Sequence, residues 1–120
     1  MKTYVDAVNT GGYNTFVGAS AGQFNNSAIG NSFFGRNAGY ATTTGVNNAF
    51  FGRSAGESNN TGFSNAFFGS FAGDANTGGG NNSFFGSNAG GANLTGASNT
   101  LVGRSAGMNN TLGSRNTVVG

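Results

Sequence analysis

Pairs of large apolar residues return every 17 positions, each pair preceded by a small or polar residue and followed by glycine. Phe, Leu and Val form these pairs, which predicts short β-strands between turns. Neighbouring strand residues point to opposite faces, so one column fills an interior and the other faces outward; the pattern leaves open which. The first column is Phe16, Phe33, Phe50, Phe67, Phe84, Leu101 and Val118. The second column is Val17, Phe34, Phe51, Phe68, Phe85, Val102 and Val119.

Polar and small residues keep the same phase. An asparagine also recurs every 17 residues, and a glycine lies four positions after each of these asparagines. An Ala-Gly pair comes next along the chain. No insertion or deletion interrupts the spacing of 17. A disordered segment tolerates drift in spacing, whereas one extra residue in a stacked coil would move a buried side chain into solvent. The asparagine column is Asn14, Asn31, Asn48, Asn65, Asn82, Asn99 and Asn116.

A unit of 17 residues is too short for the common helical repeats, and its fixed glycines disfavour a helix. We therefore predict an all-β fold, a parallel β-solenoid (β-roll) of about seven coils. Equivalent residues would stack about 4.8 Å apart. The predicted full coils are 14–30, 31–47, 48–64, 65–81, 82–98 and 99–115, with partial coils at 1–13 and 116–120.

Stacking assigns a role to each column. Asparagine above asparagine predicts a side-chain ladder in which each amide donates to the next, although asparagine also suits a turn. The glycine columns predict positive φ or close backbone packing. The alanine of each Ala-Gly pair is expected to point into a thin core.

The outward apolar column predicts self-association. Monomeric soluble proteins rarely leave a long apolar stripe in water, so we expect a homo-oligomer, either a trimeric rod or a filament, and no stable monomer. The sequence shows no capping helix or charged terminal unit. Uncapped solenoid ends recruit further strands, so the array is expected to be part of a longer one or to stack end to end.

Composition narrows the classes of function. Only 7% of residues are charged, and Pro, Cys, Trp and His are absent. Low charge is typical of disorder, but the 12 Phe residues in strict phase oppose it. A net charge of +2 is too small to indicate nucleic acid, and no apolar run is long enough for membrane insertion. We expect neither partner, and no cofactor.

Catalysis requires titratable groups brought together, and the acids are only Asp6, Glu57 and Asp74. Glu57 and Asp74 share one column, so stacking would let this pair bind a cation, but two solvated surface acids are the favoured interpretation. Arg36 and Arg53 share another column with Arg104, for which we favour a role in solubility. The chain is predicted not to be an enzyme and to hold no catalytic or metal site.

Two stretches resemble known repeats. Ser27-Ala28-Ile29-Gly30-Asn31-Ser32 resembles the head repeat of trimeric autotransporter adhesins of the YadA type. Asn14-Thr15-Phe16-Val17-Gly18, with Ala21-Gly22 and later Thr44-Gly45, is similar to repeats in predicted phage tail fibres and bacterial surface proteins. The resemblance implies a trimer of left-handed β-rolls, located outside the cell, on its surface or on a virion. It also implies a non-catalytic shaft that displays or contacts a surface receptor or glycan.

The predicted function is the shaft or filament of such a fibre. The alternative is an ice-binding β-solenoid, which would need a flat, regular threonine array. A disordered, cohesive Phe-Gly repeat like those of nuclear-pore proteins is a third class, which the strict period opposes. One candidate array is Thr15, Ser32, Ala49, Ala66, Ser83, Thr100 and Thr117. The other is Asn26, Thr43, Asn60, Thr77, Leu94 and Thr111.

Overall fold

The computed structural model describes residues 11–120, so most of the predicted partial coil at 1–13 lies outside the described residues. These residues form one parallel sheet of seven three-residue strands in sequence order, with no helix among them. The predicted all-β solenoid is therefore confirmed, with about six turns between the first and last strands. The strands are β1 (Thr15–Val17), β2 (Ser32–Phe34), β3 (Ala49–Phe51), β4 (Ala66–Phe68), β5 (Ser83–Phe85), β6 (Thr100–Val102) and β7 (Thr117–Val119).

The register of the sheet follows the sequence period. Each strand residue pairs with the residue 17 positions later, as Phe33 pairs with Phe50 and Phe50 with Phe67. Backbone hydrogen bonds between coils continue around the turns, for example from the Gly39 N–H to the Ala55 carbonyl at 2.9 Å. The result is an elongated body of 39 × 24 × 17 Å.

The first apolar column faces inward and forms the core. Its residues from Phe33 to Leu101 are fully buried, and Phe16 at one end is 6% exposed. Successive Phe rings lie 4.7–4.9 Å apart between centroids with interplanar angles of 4–13°. This separation is the strand spacing, so each ring stacks offset on its own equivalent. The alanine column lies in the same core, as predicted: Ala21, Ala38, Ala55, Ala72, Ala89 and Ala106.

The glycine columns combine both predicted reasons for glycine. Gly39 follows a core alanine with φ of 59°, and a Cβ there would lie 2.3 Å from the Phe33 ring. Gly52 follows a strand with φ of 142°, and a Cβ there would lie 2.5 Å from the Gly69 carbonyl oxygen. Both positions therefore demand a left-handed backbone and exclude a side chain sterically.

The predicted asparagine column is a ladder, but its bonds differ from the predicted ones. Asn48 is typical: its Oδ1 accepts the backbone N–H of Asn65 at 3.0 Å, and its Nδ2 donates to the Gly62 carbonyl at 2.8 Å. Along the column these bonds measure 2.8–3.0 Å and 2.7–2.8 Å respectively. The prediction of amide-to-amide donation was wrong for most of this column, because backbone groups supply the partners: the N–H of the asparagine 17 residues later and the carbonyl 14 residues later. One such bond is present, from Asn116 to Asn99 at 3.1 Å.

Amide-to-amide bonds occur instead in a second buried asparagine column, which was not predicted from the sequence. Asn76 Nδ2 donates to Asn59 Oδ1 at 2.8 Å, Asn93 donates to Asn76 at 2.9 Å, and Asn110 donates to Asn93 at 3.4 Å. Each of these amides also donates to the carbonyl of the glycine three residues later. Asparagine suits this column because its amide is both donor and acceptor and can bond to its own copy.

This second ladder has a fault between the first and second coils. Both amide atoms of Asn25 and the hydroxyl of Thr42 are buried without hydrogen-bond partners. Thr42 supplies no amide, and Ala28 stands where later coils have glycine. At Gly62 and Gly79 a Cβ would lie 2.1 and 2.4 Å from the Oδ1 of the asparagine three residues earlier. The Ala28 methyl therefore excludes Asn25 from the ladder position, and the two irregularities form one defect.

Repairing this fault is expected to stabilise the protein. In the double variant Ala28→Gly/Thr42→Asn, Asn25 and the new amide can both join the ladder. The free energy of unfolding should rise by about 2 kcal/mol, because buried polar groups without partners cost about 1–3 kcal/mol each and the new glycine costs about 0.5–1 kcal/mol.

Chemical denaturation of the parent, both single variants and the double variant measures this effect. The bond between positions 25 and 42 needs both changes, so the gains should exceed additivity by about 0.5–1.5 kcal/mol. Additive effects, or a double variant no more stable than the parent, would show that Ala28 and Thr42 do not form one defect.

Candidate functional site

The second apolar column faces outward and forms a second aromatic stack. Successive rings from Phe34 to Phe85 lie 4.7–5.1 Å apart with interplanar angles of 4–10°. Stacking leaves Phe34, Phe51 and Phe68 only partly exposed, and Phe85 is 42% exposed. The structure thus settles which column lies inside, and it shows that the outward rings shield one another.

Beside this stack runs the column of small residues that is one of the two candidate threonine arrays. The first and third residues of β1–β7 point to the same side of the sheet, away from the core, and we call this surface the outer sheet face. It contains only Thr, Ser, Ala, Val and Phe, so it carries no charge. Its small-residue column is Thr15, Ser32, Ala49, Ala66, Ser83, Thr100 and Thr117.

Arginine side chains lie two positions beyond the outward Phe column. Arg36, Arg53 and Arg104 are exposed. The Arg53 guanidinium lies over the Phe71 ring, 5.1 Å from its centroid, which is a cation–π distance. In the sequence these cations follow the outer sheet face by two positions, and their role in solubility stays a prediction.

The two acids of neighbouring coils are Glu57 and Asp74. Burial raises the pKa of the Asp74 carboxyl above its ordinary value of 3.8; backbone hydrogen bonds at Asp74 and Ala75 oppose this, and the charge of Glu57 adds to it. The Asn37 amide donates to Glu57 Oε1 at 3.5 Å. Within residues 11–120 no group of three or more His, Cys, Asp or Glu side chains is placed to hold a metal ion.

The other candidate threonine array borders an open groove of about 570 Å³. The Thr43 hydroxyl donates to the side-chain oxygen of Asn60, and the Thr77 hydroxyl donates to the Leu94 carbonyl at 3.2 Å. Asn26, Asn60 and Leu94 interrupt the row of hydroxyl groups. The array is therefore irregular, with two of its hydroxyl groups already engaged. The groove is lined by Phe24, Asn26, Ala41, Thr43, Ser58, Asn60 and Thr77.

The raised pKa of Asp74 predicts a pH dependence of stability. A carboxyl whose pKa is higher in the folded state than in the unfolded state binds its proton more tightly when folded. The free energy of unfolding therefore falls as pH rises from the unfolded-state pKa to the folded-state pKa. Asp74→Asn should therefore be more stable than the parent at neutral pH, with a difference that vanishes below the unfolded pKa. Denaturation midpoints at several pH values measure this effect.

Glu57→Gln is the matched control for this prediction, because it removes only the smallest of the contributions at Asp74. It should change stability less than Asp74→Asn does. If Asp74→Asn proves no more stable than the parent at neutral pH, burial does not disfavour the charged carboxylate.

Comparisons with known proteins add no relative to this picture. No family model matches the sequence, and no match is found among curated proteins or solved structures. The resemblance to adhesin heads and tail-fibre repeats accordingly stays a prediction. Among residues 11–120 no helix is both long and apolar enough to cross a bilayer. The features of the described residues that bear on function are the regular rod and its outer sheet face.

Proposed function

We propose that this chain is a non-catalytic structural segment, a stiff rod that associates with copies of itself to build the shaft or filament of a fibre. The observation that supports this most is the outward stack from Phe34 to Phe85, which runs along the rod on an uncharged surface. A continuous apolar surface marks a site of interaction more often than a surface left in water.

The internal bonding supports a mechanical role. Successive coils are joined by strand pairing, by stacked Phe rings and by asparagine bonds, and these contacts recur at every turn in the same register. Bending or stretching the rod would disturb all of these contacts together. Such redundancy suits a shaft that transmits force or holds a tip at a distance.

The area of the outer sheet face sets the expected strength of association. Seven rows at about 4.8 Å and a strand width of about 10 Å give roughly 340 Å² per chain. Stable pairs usually bury about 800 Å² per partner. Because the outward rings also shield one another, we expect this chain to associate weakly, from high micromolar to millimolar concentration. This replaces the sequence-based expectation that no stable monomer exists, which assumed a fully exposed apolar column.

The proposed fibre also implies a location and binding partners for the chain. Copies of the chain are the main partner, and an extracellular, cell-surface or virion location follows from the resemblance to adhesin and tail-fibre repeats. A surface receptor or glycan would be contacted by the assembled fibre. Ice binding stays the alternative prediction, and the interruption at Leu94 does not favour it.

Truncating the two Phe columns in turn tests this proposal. Phe50→Ala removes a fully buried ring and should lower the free energy of unfolding by about 3–5 kcal/mol at every protein concentration. Phe51→Ala should cost less stability and should weaken self-association, so that its effect depends on concentration. Sedimentation equilibrium from micromolar to millimolar concentration measures association, and chemical denaturation measures stability.

The decisive outcome is that of the parent chain. Association that weakens in Phe51→Ala supports the proposal. A parent that remains a single 11.9 kDa species throughout contradicts it, and a thermal-hysteresis assay on that monomer would then test the ice-binding alternative.

A further inference from the structure

Residue sizes on the outer sheet face are balanced row by row. Every strand with Phe at its third position has Ser or Ala at its first, as in Ser32–Phe34 and Ala49–Phe51. Every strand with Val at its third position has Thr at its first, as in Thr15–Val17 and Thr100–Val102. All seven strands obey this rule. Both columns face outward, so the balance fills no space within one chain.

A ridge of Phe beside a trough of small residues is complementary to a second copy of itself. We propose that two chains pack outer face to outer face as parallel rods, related by a twofold axis that runs along the rods above the middle of the strands. This rotation places the Phe column of each chain over the small-residue column of the other, row against row. Phe51 of one chain then lies over Ala49 of its partner, and Phe68 over Ala66.

The repeat spacing makes this fit extend along the whole rod. Both chains have the same strand spacing, so a match in one row is a match in every row, as in the interdigitated interfaces of paired sheets. Where Val is shorter than Phe, the facing Thr is larger than Ala or Ser, and the gap between the sheets stays constant. No ionisable side chain of the outer sheet face has to be desolvated.

The antiparallel pair is the competing arrangement, and it fits less well. Reversing one rod keeps each column opposite its own kind, so Phe meets Phe and Ala meets Ala. The Phe rows would then hold the sheets apart while the facing alanines, such as Ala49 and Ala66, left voids. Close packing disfavours both features.

This inference rests on the proposed self-association and names its contact. It gives a pair of rods that point in the same direction, in place of the trimeric rod that the adhesin resemblance implies. The partner is a second copy because one surface supplies both ridge and trough with the same period.

Ala66→Phe tests the contact directly. Position 66 is an outward strand position, where an aromatic residue is compatible with the fold. In the parallel pair the new ring would collide with Phe68 of the second copy, and the dissociation constant should rise by about tenfold or more. Ser58→Phe is the matched control, since it adds the same ring in the exposed column of Phe24 and should leave this dissociation constant unchanged.

Spin labels distinguish the two orientations. The chain has no cysteine, so Ala19→Cys and Arg104→Cys can be labelled singly, at exposed positions in the first and sixth rows. In the parallel pair, labels at the same position lie at the same height along the rods, on opposite sides of the pair, whereas a mixed pair is further separated by an offset of five rows along the rods, about 24 Å. The antiparallel pair reverses this order. Pulsed electron paramagnetic resonance measures both distances.

The outcomes separate this inference from the proposed function. Association that Ala66→Phe weakens, with the shorter distance between identical positions, supports the parallel pair. Association that Ala66→Phe leaves unchanged or strengthens, or a shorter mixed distance, overturns the parallel pair and leaves self-association standing. A parent chain that does not associate at all overturns both.

Discussion

Each residue in this solenoid lies against the residue 17 positions away, and this constraint decides which side chains the repeat can hold. A column must be able to stack on itself at the strand spacing, because its neighbours above and below are its own equivalents. Phe does so with offset rings, and asparagine does so because one amide carries both donors and an acceptor. A buried column of like charges could not, which accounts for a core of Phe, Ala and Asn.

The same constraint makes irregularities cooperative. Ala28 and Thr42 would be conservative choices in most folds, yet here they leave three buried polar atoms without partners. A change in one coil removes a contact from the coil beside it, so the cost of a substitution is shared across a junction. The row-by-row balance of the outer sheet face extends this logic to the surface, where a second chain would supply the missing neighbours.

Much of the fold was predictable because the period is strict. The strands, their parallel register and the inward alanines follow from spacing alone. Which apolar column lies inside did not follow from the spacing. Both columns are Phe-rich, and a strand of three residues has too few alternating positions to distinguish its buried face from its exposed face. The second asparagine ladder was hidden by Thr42, and the hydrogen bonds of the first depend on backbone distances that a sequence does not contain. At the candidate site, the apolar stripe was visible in the sequence, but the shielding of each ring by its neighbours was not.

The central claim is that one unit of 17 residues makes one complete turn and advances by one strand spacing. X-ray diffraction from crystals or aligned fibres of the chain measures this advance directly. The solenoid predicts a strong meridional repeat near 4.8 Å, with a single chain tracing each rod. An advance per unit several times larger would mean that several chains interleave around a shared axis, and it would contradict the account.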